Sequence, residues 1–231
     1  MTDIIYAIGD VHGRDDLLGQ LHEHIAEFHG YQYPGRSGLI LHVGDYIDRG
    51  PDSAQVIDRL MKGVEGFDVI CLLGNHEAML LECLKPFNGW AWDLWLPNGG
   101  TQTLASLGVS FEPGCFDSNV LRQALGPDRI AWLDELPLHH LAAPYLFVHA
   151  GIAPGVPLEE QDPEDLLWIR SRFLDDDTDH GFVVVHGHTP GNDPVVKRNR
   201  ICVDTGAVFS GRLTAAVLDG DKPPVFLHAV D

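Results

Sequence analysis

Six short apolar runs punctuate the chain, at residues 4–8, 39–43, 69–73, 145–148, 182–185 and 201–203, each bounded by Gly, Asp or Asn. Their length and β-branched content suit buried strands. Between the early runs the apolar positions recur with helical spacing. Leu17, Leu18, Leu21, Ile25 and Phe28 form one stripe, and Val56, Ile57, Leu60 and Met61 form another. Strand, helix, strand, helix implies a layered α/β domain. Residues 85–135 break this rhythm with Pro86, Trp90, Trp92, Trp95, Pro97 and Gly99-Gly100. We read them as a helical insertion whose tryptophans pack its own interior rather than stack on a substrate. A strand hairpin, 214–218 and 225–228, closes the pattern around Asp219-Gly220-Asp221-Lys222. The acidic stretch 175–179 reads as a solvated loop, and no repeat or low-complexity tract interrupts a single domain over 1–231.

Polar clusters sit just past the strands: Gly9-Asp10-Val11-His12 after the first, Gly44-Asp45 after the second, Gly74-Asn75-His76 after the third and His149 after the fourth. Loops at the carboxyl ends of strands converge over one crevice in layered α/β folds. Asp10 and His12 are two apart, so an extended strand end turns both to one side, giving a metal one oxygen and one nitrogen donor. Asp45 and Asn75 add hard oxygen ligands, and His149 with the pair His186 and His188 adds imidazoles. A carboxylate, amide and imidazole set without thiolate suits manganese, iron or zinc rather than a closed structural zinc site. Taken singly, each has a plainer explanation: Asp10 as a helix cap, Asp45 as a turn cap, Gly-Asn-His as a turn. Their recurrence at successive strand ends is the signal.

Composition changes this picture in two respects. Fifteen basic against thirty-four acidic side chains give a net charge of −19, which excludes a broad basic face for nucleic acid. Bound divalent cations would neutralise part of that charge. The four cysteines, Cys71, Cys83, Cys115 and Cys202, form no Cys-x-x-Cys pair. No signal-peptide pattern opens the sequence, and no apolar run approaches the roughly 20 residues that span a bilayer. We therefore expect a cytoplasmic protein without a membrane partner. Of the thirteen histidines, His22, His24 and His29 lie largely off their helix stripe and are expected to face solvent, while His139, His140, His180 and His228 lack a motif beside them.

The ordered runs GDVHG (9–13), GDYIDRG (44–50), GNHE (74–77), VHAG (148–151), HGHTP (186–190) and DTGAV (204–208) resemble the signature of calcineurin-like metallophosphoesterases. GDxxDRG with GNHE narrows the resemblance to the phosphoprotein phosphatase type. Residues 95–100 (WLPNGG), the segment 168–170 and the stretch 204–213 are similar to phage and bacterial serine/threonine phosphatases. The resemblance implies a four-layer α/β/β/α sandwich of two mixed sheets, the 85–135 insertion folded over the site, and a dinuclear metal centre between the sheets. It assigns Asp10, His12 and Asp45 to one metal and Asp45, Asn75, His149 and His188 to the other, with Asp45 bridging. Manganese is favoured; iron, zinc, cobalt or magnesium would also fit. The histidine before Thr-Pro matches the ligand, so His188 is chosen over His186, whose role stays open.

Two divalent ions about 3.5–4 Å apart can share a water, lower its pKa and generate the attacking hydroxide. His76, beside Asn75, is then the general acid for the leaving oxygen, with Asp48 fixing its imidazole. Arg49 and Arg170 would clamp the phosphoryl oxygens, with Arg172 a competitor for the second place. Glu77 and Asp204 would orient ligands. The expected substrate is a phosphoprotein or small phosphate ester. The alternative is a symmetrical diadenosine tetraphosphate, or dinucleoside polyphosphate, since hydrolases of that kind look similar. A non-catalytic protein-binding scaffold would be expected to have lost the acid or the ligands, and all are retained. Oligomeric state is not legible.

Overall fold

The computed structural model describes residues 4–86, 88–110 and 117–231, so Cys115 and part of the predicted insertion lie outside the described residues. Its strands are β1 (Ile4–Ile8), β2 (Gly38–His42), β3 (Asp68–Cys71), β4 (His139–Ala142), β5 (Tyr145–Val148), β6 (Val183–His186), β7 (Val195–Val196), β8 (Arg200–Cys202), β9 (Arg212–Leu218) and β10 (Val225–Val230). The helices are α1 (Asp15–Gln32), α2 (Ser53–Lys62), α3 (Asn75–Cys83), α4 (Gly89–Trp95), α5 (Gly100–Ser106), α6 (Ser118–Leu125), α7 (Pro127–Asp134), α8 (Pro163–Trp168), α9 (Ser171–Leu174) and α10 (Ala207–Ser210).

Two five-stranded mixed sheets form, in the orders β10-β9-β1-β2-β3 and β4-β5-β6-β8-β7. The apolar runs serve both faces of each sheet, because side chains alternate along a strand. From β1, Ile4, Tyr6 and Ile8 face the helices, whereas Ile5 and Ala7 face the other sheet. In β5 the division is Tyr145 and Phe147 inward against Leu146 and Val148 outward. Three cores result: α1, α2 and the insertion helices on the first sheet, sheet on sheet, and α8 with α9 on the second. That is the four-layer sandwich expected from the sequence.

All six predicted strands and the closing hairpin are present within a residue or two. Sequence patterning missed β4 and the two-residue β7. Two expectations need correction: Trp90 of the insertion is 61% exposed rather than packed inside it, and two of the α1 histidines are covered. His22 is buried, with its Nε2 3.4 Å from Nε2 of the equally buried His42, and His29 is partly buried, joining Tyr6 Oη at 2.9 Å to the Arg36 carbonyl at 3.1 Å. Both flank the α1 stripe closely enough to be covered; His24 does remain exposed. Cys71, Cys83 and Cys202 are buried free thiols. No helix among the described residues is long and apolar enough to cross a membrane.

Candidate active site

Strand register brings the polar loops together. Ile8 pairs with His42 and His42 with Cys71 in the parallel β1, β2 and β3, so 9–12, 43–49 and 72–76 leave the first sheet at one level. Phe147 pairs with Val185, and His186 with Cys202, so His149, His188 and Asp204 leave the second sheet together. Glycine permits the close approach. A Cβ on Gly74 would lie 2.2 Å from the Asp45 amide nitrogen, and one on Gly187 2.1 Å from Asp10 Oδ1. Among the described residues, five non-glycines have left-handed backbone: His12 (φ 46°), Asp45 (55°), Asp48 (74°), Arg49 (67°) and His188 (64°). All five are sequence-predicted site residues, in keeping with the tendency of backbone strain to gather where function requires it.

Asp45 lies between two histidine groups. Its Oδ1 is 3.4 Å from His149 Nε2, and its Oδ2 is 3.5 Å from His12 Nε2. The ring tautomers are set from behind: His12 Nδ1 donates to the Ile47 carbonyl at 2.8 Å and His149 Nδ1 to the Val43 carbonyl at 3.0 Å. Each Nε2 lone pair is therefore turned into the site. Asn75 Oδ1 lies 2.8 Å from His149 Nε2 and 3.0 Å from His188 Nδ1. Donor atoms of His12, Asp45 and His76, and of Asp45, His149 and His188, gather within 4.8 Å of one another. Asp10 stands beside these groups, its carboxylate accepting the His188 amide at 3.1 and 3.2 Å and paired with Asp204.

The electrostatics fit a cationic occupant. Burial and the charges of Asp204 and Asp45 push Asp10 well above the usual carboxylate range, and burial likewise carries Asp204 to about 6. Burial depresses His12 and His188 to about 3 and also lowers His149, so these rings are neutral, the form that ligates. His188 Nε2 is buried without a hydrogen-bond partner. Divalent cations relieve the repulsion among converging carboxylates and use neutral imidazole lone pairs, so this donor set suits them.

His76 Nδ1 lies 2.6 Å from Asp48 Oδ2. Burial disfavours the charged ring, but Asp45 and Asp48 overcome it and raise His76 above its ordinary value. Arg49 donates from Nη1 to His12 Nε2 at 2.6 Å and from Nη2 to His76 Nε2 at 2.9 Å, placing positive charge at lone pairs facing the site. Glu77 accepts from the amides of Asp45, Tyr46, Ile47 and Gly74 at 2.8–3.2 Å, fastening the second strand-end loop to α3. Two partners of Asp48 escaped sequence reasoning. Trp95 Nε1 donates to both its oxygens, at 3.0 and 2.8 Å, and Thr103 Oγ1 donates to Oδ1 at 2.6 Å. Trp95 is thus buried as packing was expected to bury it, with its N–H also committed; the only sequence hint was its place in WLPNGG.

Arg170 Nη1 donates to Thr189 Oγ1 at 3.4 Å, and its charge helps to depress His149 and His188. Its competitor Arg172 pairs with Asp165 at 3.4 Å on the exposed face of α8. His186 stays apart from both groups. Its Nδ1 lies 3.0 Å from the Gly187 carbonyl and its ring meets Phe173 edge-on.

A two-sheet α/β sandwich whose strand-end loops collect carboxylates, imidazoles and an amide defines a metal-dependent phosphoesterase. Residues 4–211 match the calcineurin-like phosphoesterase family, and the chain belongs to it. Family members use a dinuclear metal centre to hydrolyse phosphate esters, and this chain is a hydrolase of that class. It is 30% identical over 223 residues to serine/threonine-protein phosphatase 1 of Salmonella typhimurium, covering 92% of this chain and 90% of that protein. It is 34% identical over 155 residues to a symmetrical bis(5'-nucleosyl)-tetraphosphatase of Aromatoleum aromaticum, covering 65% of this chain and 45% of that protein. Among solved structures, a cold-active protein tyrosine phosphatase shares the fold with a TM-score of 0.63 at 17% identity, covering 97% of this chain and 79% of that one.

Proposed function

We propose that this chain is a serine/threonine phosphoprotein phosphatase, one catalytic domain over 1–231, that acts in the cytoplasm. The observation that carries the metal site is the division of Asp45, one oxygen toward His149 and the other toward His12. Asp10, His12 and Asp45 would hold one divalent ion, and Asp45, Asn75, His149 and His188 would hold the second, with manganese the preferred metal. When bound, the ions supply Lewis acidity toward water and the phosphoryl group.

The chain's own residues do the rest. Arg49 turns its fork from the imidazoles to the phosphoryl oxygens, and Arg170 closes on them from the second sheet. As the water oxygen bonds to phosphorus and the P–O bond to the alkoxide breaks, the water gives up a proton to solvent; His76, protonated at Nε2 once Arg49 has turned away, passes that proton to the leaving oxygen while its Nδ1–H stays on Asp48. A match that covers 90% of the Salmonella serine/threonine-protein phosphatase supports a phosphoprotein substrate. The Aromatoleum relative supports a second reading, hydrolysis of dinucleoside polyphosphates, over a shorter stretch.

A substrate panel separates the two. After chelation, we expect manganese to restore turnover best, and a phosphoserine peptide to exceed both phosphotyrosine peptide and diadenosine tetraphosphate in kcat/KM. A dinucleotide preference would replace the first reading with the second, and no metal dependence would remove both.

A further inference from the structure

Asp48 is a fully buried carboxylate with more donors than a dyad partner needs. His76 Nδ1 takes Oδ2 at 2.6 Å; Trp95 Nε1 lies across both oxygens; Thr103 Oγ1 takes Oδ1 at 2.6 Å. Thr103 also accepts from the Asp48 amide at 2.9 Å and donates alternatively to Ser53 Oγ at 3.0 Å. Trp95 ends α4 and Thr103 lies in α5, so both come from the insertion, 47 and 55 residues along the chain from Asp48. The insertion grips the same turn through its backbone as well: Arg49 N donates to the Gly99 carbonyl at 3.2 Å, and a Cβ on Gly99 would lie 2.5 Å from that nitrogen.

We propose that Trp95 and Thr103 are positioning residues for leaving-group protonation, locking the Asp48 carboxylate so that it holds the His76 imidazole in its proton-donating orientation. Neither touches the phosphoryl group; both act through Asp48. A carboxylate bound only to His76 could rotate and offer either oxygen. With Trp95 across its edge and Thr103 on Oδ1, its orientation is fixed, and Oδ2 remains set against His76 Nδ1. The insertion is then part of the proton-transfer apparatus rather than a cover alone. This rests on His76 being the acid in the function proposed above.

The test compares Trp95→Phe, Thr103→Val, Thr103→Ser and His76→Asn in the metal-loaded enzyme, on a phosphoserine peptide and on p-nitrophenyl phosphate, whose leaving group needs little protonation. Trp95→Phe should lower kcat on the peptide roughly ten- to a hundredfold, the range for losing a hydrogen bond to a charged group. KM should stay within about threefold, and the loss on the aryl ester should be much smaller. Thr103→Val should show the same split in lesser degree, and Thr103→Ser, which keeps the hydroxyl, should recover most of it. The downfield proton resonance of His76 Nδ1–H, assigned by its absence in His76→Asn, should shift in Trp95→Phe and Thr103→Val. Equal losses on both substrates, no loss, an unmoved resonance, or Thr103→Ser as impaired as Thr103→Val would overturn the inference. If His76→Asn itself lacks the substrate split, the acid assignment fails instead, separately from this one.

Discussion

The loops of the first sheet bring Asp10, His12, Asp45, Asp48, Arg49 and His76 to the site, while those of the second bring His149, His188, Asp204 and, further on, Arg170. The first half is dense with charge and heavily tied. Asp48 accepts from three side chains, Glu77 fastens four amides, and four of the five left-handed non-glycines lie there. The second half is lightly held: His188 Nε2 has no partner, and Arg170 has one long contact to a hydroxyl. The contrast indicates a division of labour. On the proposed function, the first half would hold a proton donor in one orientation, whereas the second would mainly offer neutral donors to a divalent cation.

The largest expected effect comes from the one residue serving both groups. Asp45→Asn should lose more than about 10⁴-fold in kcat, beyond the usual range for one acid–base group. It should also bind clearly fewer than two metal equivalents by elemental analysis, and full metal content would break the idea of a shared carboxylate. His76→Asn is next, with a loss of roughly 10²–10⁴ on phosphoserine peptide at nearly unchanged metal content. A matched pair then sharpens the comparison of halves. Arg49→Lys should cost about 10²–10³ in kcat, because a forked contact spanning two imidazoles has no lysine equivalent, while the singly held Arg170→Lys should cost about tenfold. Reversal of that order would show the second half to be the tighter clamp. Smallest is His186→Gln, where turnover should stay within about threefold and Tm should fall by a few degrees, the ordinary outcome of disturbing a buried side chain. Metal loss in that variant would make His186 a ligand support.

Much of this architecture was legible because its causes are local. Double-sided burial makes apolar runs such as Leu39, Ile40 and Leu41 conspicuous, and each functional loop follows its strand directly, so Asp10, Asp45, Asn75 and His149 could be read off in order. What stayed hidden depends on distant partners or marginal signals. Nothing in the hydropathy of residues 90–103 states that the Trp95 N–H meets a carboxylate 47 residues away. The two valines of β7 are exposed and too few to mark a strand. His22 looked peripheral because it flanks its helix stripe, but the ring of His42, from β2, meets it at 3.4 Å. Arg170 and Arg172, two apart, were separable only once the backbone between α8 and α9 was known.

Arg49 has a consequence for anyone who would make this enzyme hardier. Its φ of 67° lies where a side-chain-bearing residue costs roughly 1–3 kcal/mol and glycine costs little. Selection for heat resistance alone would therefore drift toward glycine at position 49. The survivors would tolerate more heat and hydrolyse less, so any such screen has to score turnover alongside survival.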